Sequence, residues 1–262
     1  MIILAAMWIR KNIPNLLTLF NLLAGVLAVV FTFNGLIYWA GWLVLAAAIF
    51  DVFDGAAARY LNVSSPIGGD LDSLADAISF GLAPSLILYK FMWLNEFKSA
   101  NAYLPFDLFD RPIGYEIYLI PFISFWLVIA GVIRLARFNN DTRQATSFIG
   151  LPIPACGLFF AFIPIIFQEA IWNIGPVYDV ILNTLSDNTS LAILVVLIPS
   201  MMLSPIPMFS LKVKSKYWKD YLPQILFLIV GIIIFIAGRF LVVPVLILLY
   251  IIYSLISLIL RK

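Results

Sequence analysis

Asp51 and Asp54 stand three residues apart and Asp72 and Asp76 four apart, spacings that put each pair of carboxylates on one face of a helix. With Asp70, five of the 14 acidic residues fall between positions 51 and 76. Carboxylates gathered this closely repel one another and lose hydration, and a divalent cation removes that cost. The chain has no histidine and one cysteine, Cys156, so the ligands are oxygens and the ion is a hard one, Mg2+, Mn2+ or Ca2+. Two such ions, roughly 3.5–4 Å apart and sharing carboxylates, suit displacement at phosphorus. The same counts exclude histidine acid–base chemistry and an intrachain disulfide.

The neighbours of these aspartates fit an anionic substrate. Gly55, Ala57 and Ala58 leave one face bare enough for a ligand or a second helix. Arg59 supplies a permanent fork of donors for phosphate, and Gly68 and Gly69 relax the loop "NVSSPIGGD" that leads into the next helix.

The elements that position these groups cross a membrane. The 262 residues are 63% hydrophobic and 11% charged, well below the roughly 25% charge of soluble domains, which makes this an integral membrane protein. Continuous apolar runs predict helices rather than a barrel, with spans near 16–34, 36–58, 72–94, 117–138, 152–171, 191–210, 223–238 and 240–260. The last two read as a hairpin around Arg239. Polar joints at 95–116 and 172–190 fall on the outer side. With the N-terminus in the cytoplasm, the inner side collects Arg10, Lys11, Arg59, Arg134, Arg137, Arg143, Lys212, Lys214, Lys216, Lys219, Arg261 and Lys262. The outer side holds only Lys90, Lys98, Arg111 and Arg239, and this bias puts the aspartates at the cytoplasmic face. The opening "MIILAAMWIRKN" is apolar before its charges, unlike a signal peptide, and reads as an interfacial helix over 1–12.

Other polar residues lie at the depth of the aspartates. Asn15, Thr18 and Asn21 recur every third residue on the first helix, where they either contact a nucleotide or hydrogen-bond between helices. Arg134 and Arg137, followed by Asn139, anchor the inner end of the fourth span or offer a donor fork to a carboxylate. Ser79 follows Asp76 by one turn and either shapes an acceptor pocket or satisfies a backbone carbonyl. The prolines of "FIGLPIP" are helix-entry residues. The run "KVKSKYWKD" either attracts anionic lipid or sets topology.

The pattern Asp51-x-x-Asp54-Gly55-x-x-Ala58-Arg59, eight residues, then Gly68-x-x-x-Asp72-x-x-x-Asp76, resembles the signature of the CDP-alcohol phosphotransferases at every position. "IPNLLTLFNLLAGVLAV", "SPIGGDLDSLADAISFGLAP", "GVIRLARFN" and "TSFIGLPIP" are similar to bacterial and archaeal members whose acceptor is serine. The resemblance covers roughly residues 10 to 210 and implies an all-α, polytopic six-helix core. With the interfacial reading of the first twelve residues, this divides the chain into an interfacial helix (1–12), a catalytic membrane core (13–210) and a basic loop with a C-terminal transmembrane hairpin (211–262).

The resemblance implies transfer of the phosphatidyl group from CDP-diacylglycerol to the hydroxyl of L-serine, with release of CMP. Asp51, Asp54, Asp72 and Asp76 would hold two ions, Mg2+ or Mn2+, and Asp76 would also be the general base. Gly55, Ala58, Arg59, Gly68, Asn15 and Thr18 would meet the CDP and its phosphates, and Arg134, Arg137, Asn139 and Ser79 the acceptor. It further implies a homodimer in a prokaryotic cell membrane, a site facing the cytoplasm, lipid as surroundings, and no nucleic-acid partner. A phosphatidylglycerophosphate or phosphatidylinositol-phosphate synthase is the alternative within the family; Ala77, where the former often has a basic residue, counts against it. A divalent-cation transporter is the alternative from another class, and it predicts polar groups through the depth of several spans.

Overall fold

A computed structural model describes residues 2–63, 66–99, 119–140, 149–173, 175–208 and 239–260. The structure is helical, and the one strand-like pairing among these residues is the isolated bridge between Ile149 and Pro207. Helices α1 (Ile2–Phe33) and α2 (Ile37–Leu61) form an antiparallel pair turned at Gly35, whose φ of 77° a side chain would oppose. Helix α2 ends at Asn62, held in the left-handed conformation that asparagine tolerates. Helix α3 (Pro66–Asp76) runs through a π-helical turn, Ala77–Leu82, into α4 (Ala83–Ser99). A 3-10 turn (Ile120–Phe125) leads into α5 (Trp126–Asn140), followed by α6 (Ile153–Ala161) and α7 (Ile163–Trp172). Helices α8 (Pro176–Ser186) and α9 (Asn188–Ser200) precede α10 (Val242–Leu260).

Among the described residues, five stretches are long and apolar enough to span a bilayer: Asn12–Phe33, Ile37–Leu61, Ile67–Glu96, Ile120–Asn140 and Ile153–Trp172. The pair α8 and α9, bent by 82°, makes a sixth if taken as one span. Leu16, Leu19, Leu23, Val26 and Val30 are exposed along one side of α1, a surface suited to lipid tails.

Lipid tails are as apolar as leucine, so helices in a bilayer associate by close packing of small residues. Ala24, Ala28, Ala40, Ala47, Ala130 and Ala161 are buried at these contacts. A methyl group on Gly41 would strike the Ala161 carbonyl, and one on Gly157 would lie 2.6 Å from the Phe80 carbonyl. At the end of α4 remote from the aspartates, Asn188 donates to the Met92 carbonyl at 2.8 Å and to Glu96 at 2.9 Å. Asn95 donates to the Leu185 carbonyl at 2.8 Å, and together these bonds fasten the bend between α8 and α9.

Several boundaries differ from the sequence reading. Residues 2–12 continue into α1 without a break rather than forming a separate element. Gly68 and Gly69 lie in the first turn of α3, because Pro66 starts the helix earlier than the glycines suggest. The joint at 172–190 contains α8, and the Asp187 carboxylate starts α9 by accepting from the Thr189 and Ser190 amides. The span placed at 191–210 ends at Ser200, one residue after Pro199, and the chain turns back to bridge Ile149. The span at 223–238 and the basic run lie outside the described residues. Of the hairpin, the described part is a 3-10 turn (Arg239–Leu241) leading into α10, a shorter apolar helix.

Candidate active site

The site forms where the C-terminal end of α2 meets α3 against α1. Oxygens of Asp51, Asp72 and Asp76 lie within 4.8 Å of one another. Asp76 and Asp54 are buried, Asp51 and Asp72 half-buried. Asp54, one turn beyond Asp51, sits to the side of this trio and faces a cleft of about 260 Å³. Pro14, Asn15, Gly55, Ala58, Gly68 and Asp72 also line the cleft.

Helix α1 holds two of the four carboxylates. The Thr18 hydroxyl is 2.7 Å from Oδ2 of Asp54, and the Asn21 amide donates to Oδ1 of Asp76 at 3.3 Å. The π turn after Asp76 locks the same region. Ser79 donates to the Asn21 carbonyl at 3.0 Å, and a Cβ on Gly25 would lie 2.7 Å from Cα of Ser79. A π turn inserts an extra residue into a helix and re-aims what precedes it, here Asp76.

The cluster fits a divalent cation on two observations. Oδ1 of Asp72 is buried without a hydrogen-bond partner beside two other carboxylates, an arrangement that costs free energy until a cation accepts the lone pairs. Arg134 lies within electrostatic range of Asp76, but a single guanidinium does not balance four carboxylates. The all-oxygen donor set suits a hard ion.

The remaining residues named from sequence divide into two groups. Asn15, Thr18, Gly55, Ala58 and Gly68 line the cleft, and Arg59 is exposed at its rim with its guanidinium over Gly55. Arg134 is 7% exposed, its Nε has no hydrogen-bond partner among the described residues, and its guanidinium lies 5.8 Å from the centre of the Phe138 ring. The others are engaged in packing. Ser79 is fully buried, with its hydroxyl on the Asn21 carbonyl. Arg137 is exposed and donates to the Leu203 carbonyl at 3.2 Å, and Asn139 exchanges hydrogen bonds with Ser73 at 3.0 and 3.3 Å. These contacts join the ends of α3, α5 and α9 at the level of the site. Asn21 as a holder of Asp76 and Ser73 as a tether beside Asp72 are roles that spacing alone leaves open. The three-residue stripe on α1 is the signal for the first, and nothing in the sequence signals the second.

Comparison with known proteins accords with this geometry. Residues 11–202 match the model of the CDP-alcohol phosphatidyltransferase family, and the chain belongs to that family. It is similar to the CDP-diacylglycerol–serine O-phosphatidyltransferase of Helicobacter pylori, 40% identical over 147 residues, 55% of this chain and 54% of that protein. The enzyme of the same name from Bacillus subtilis is 30% identical over 167 residues, 62% of this chain and 81% of the relative. That from Methanocaldococcus jannaschii is 37% identical over 152 residues, 57% and 60% of the two chains. The chain thus spans about half the length of the Helicobacter relative, 54%.

Proposed function

We propose that this chain is a membrane-embedded transferase that moves the phosphatidyl group of CDP-diacylglycerol to the hydroxyl of L-serine and releases CMP. The observation that carries the reading is the meeting of Asp51, Asp72 and Asp76 within 4.8 Å, beside a cleft headed by Asp54. The names of the relatives support serine as the acceptor.

The cleft takes the cytidine diphosphate, with Gly55, Ala58 and Gly68 leaving room for it, Asn15 and Arg59 offering donors, and Thr18 lining it while its hydroxyl holds Asp54. Asp51, Asp54, Asp72 and Asp76 would hold Mg2+ or Mn2+, two ions in the reading the sequence suggests. Bound ions of this kind stabilise charge on the pyrophosphate oxygens and on the departing CMP. Asp76, held by Asn21, takes the proton from the serine hydroxyl as its oxygen bonds to the phosphorus bearing diacylglycerol and the bond to CMP breaks. Arg134, buried near Asp76 with an unpartnered Nε, receives the serine carboxylate. Arg137 and Asn139 stand at the same end but serve helix contacts, so they are secondary in this role. The site faces the cytoplasm by the distribution of lysine and arginine. The homodimer implied by the family resemblance is tested by the mass of the detergent-solubilised protein.

CMP release from CDP-diacylglycerol and Mn2+, with L-serine, glycerol 3-phosphate and inositol phosphate offered separately, tests the reading. Release with serine alone is the expected result. Release with another acceptor replaces the substrate, and no release with any of the three removes the activity.

A further inference from the structure

The span Ile67–Glu96 changes register at its middle, where the π turn Ala77–Leu82 joins α3 to α4. Beyond the turn, rotation about the helix axis is set by the core: Ile87, Leu88 and Met92 are fully buried, Phe91 is nearly so, and Asn95 is bonded to the Leu185 carbonyl. Followed back from Leu88 at about 100° per residue, an unbroken α-helix would put Asp76 about 120° and Asp72 about 160° around the axis, off the buried side. The residue inserted by the π turn takes back about 100°, leaving Asp76 about 20° and Asp72 about 60° from Leu88. Asp76 is accordingly buried, and both carboxylates face the site because the helix is wound wider between them and α4.

Pro84 accounts for the wider turn. It is buried at the second position of α4, where in an α-helix its ring would strike the carbonyl of Phe80, four residues back, and offer that carbonyl no N–H. The π turn relieves both faults: the Ala83 amide reaches the Ile78 carbonyl, five residues back, and the Ser85 hydroxyl donates to the Gly81 carbonyl at 2.8 Å. A wider backbone needs room, and glycines on two other helices supply it. A Cβ on Gly25 of α1 would lie 2.7 Å from Cα of Ser79, and one on Gly157 of α6 would lie 2.6 Å from the Phe80 oxygen. From this we infer that Pro84 is a positioning residue: by forcing the π turn it rotates Asp72 and Asp76 into the carboxylate cluster. The inference rests on the proposed metal role of these carboxylates and extends it to a proline that does not line the cleft.

The test uses the full chain in detergent and compares wild type with Pro84→Ala and with Pro84→Ala lacking Ala77. Without the ring the span is free to wind as an α-helix, and deleting one residue from that helix restores the angle of Asp76. CMP release and the rise in thermal midpoint on adding Mn2+ are measured for each. In Pro84→Ala, kcat is expected to fall about 10²-fold, the cost of misplacing a reacting group, and the Mn2+ shift to shrink. The shortened variant is expected to recover most of both. A Pro84→Ala protein with the kcat and Mn2+ shift of wild type overturns the inference. So does a shortened variant no better than Pro84→Ala, which marks the proline as packing alone. Should Pro84→Ala fail to fold, Gly157→Ala takes its place, because its methyl presses on the turn at the Phe80 carbonyl. A lower kcat and a smaller Mn2+ shift with an unchanged KM for CDP-diacylglycerol are then expected, and wild-type values overturn the inference. A wild type whose midpoint ignores Mn2+ overturns the metal reading, and the inference falls with it.

Discussion

Asn21 of α1 and Asp76 at the end of α3, 55 residues apart in the chain, are joined by a 3.3 Å hydrogen bond from amide to carboxylate. Three residues earlier on the same helix, Thr18 bonds Asp54 on α2. The first helix is therefore the jig that sets the second and third relative to one another. A carboxylate that accepts a fixed amide is confined to one rotamer and presents its other oxygen in one direction, the condition for a general base that must meet a hydroxyl.

Replacing Asp76 with Asn removes the proton acceptor while keeping shape and the ability to hydrogen-bond. Turnover is expected to fall by about 10²–10⁴-fold, the usual worth of general-base catalysis. Binding of the CDP lipid, measured by thermal stabilisation with CDP-diacylglycerol, should survive. A turnover near wild type would remove Asp76 from that role.

Asn21→Ala tests the jig rather than the base. Loss of one hydrogen bond to a carboxylate is expected to lower kcat about tenfold. Asp76→Asn combined with Asn21→Ala should be no slower than Asp76→Asn alone, because the amide acts through the carboxylate it holds. Additive losses in this cycle would show that Asn21 serves the reaction by some other path.

Thr18→Val keeps the branched shape and deletes the hydroxyl that donates to Asp54 at 2.7 Å. The concentration of Mn2+ giving half-maximal CMP release is expected to rise severalfold, and Thr18→Ser should restore it. If the valine variant needs no more Mn2+ than wild type, Thr18 contributes packing only.

The carboxylate cluster and the membrane class were legible because both rest on residue type and short spacing: aspartates at three and four, and apolar runs of bilayer length. What escaped depends on contacts remote in sequence. Ser79 reads equally as a pocket residue or a packing residue until α1 is seen to bring the Asn21 carbonyl against it. Arg137 and Asn139 look like a donor cluster with Arg134, yet the turn after α9 and Ser73 on α3 occupy them. Arg134 differs from Arg137 only in facing inward, a distinction of one helical step. Helix α8 (Pro176–Ser186) falls in a joint that reads as a loop because its polar residues Asp179, Asn183 and Thr184 interrupt the apolar pattern, and the 82° bend into α9 shows it as a separate helix.

Chelation tests the donor set as a whole. With EDTA in excess, CMP release is expected to stop and to return on addition of Mg2+ or Mn2+, whereas Zn2+ should restore little, because no histidine or clustered cysteine is present to favour it. Binding has a second readout: either ion should raise the thermal midpoint of the wild type and do so less for Asp72→Asn, since Oδ1 of Asp72 is a buried carboxylate oxygen without a hydrogen-bond partner among the described residues. Full activity in EDTA would contradict the assignment of these carboxylates to a metal.

Gly25 and Gly69 make a contrast that reads the packing of the site directly. A methyl on Gly25 meets Cα of Ser79 at 2.7 Å, and since that atom belongs to the backbone of the π turn, either α1 or the turn has to move. Gly25→Ala should cost about 1–3 kcal/mol, the range for overpacking. It should also lower kcat, because the turn follows directly on Asp76. Gly69 has nothing within 4 Å of the corresponding position and lies inside a helix, so Gly69→Ala should raise the thermal midpoint, alanine being about 0.5–1 kcal/mol better than glycine there. Gly69 also borders the cleft, so its methyl should act on the donor, raising the KM for CDP-diacylglycerol. Measured together, thermal midpoints and KM values separate the two effects. A Gly25→Ala protein as stable and as fast as wild type would mean that the close approach of α1 to the π turn does not set the geometry of Asp76.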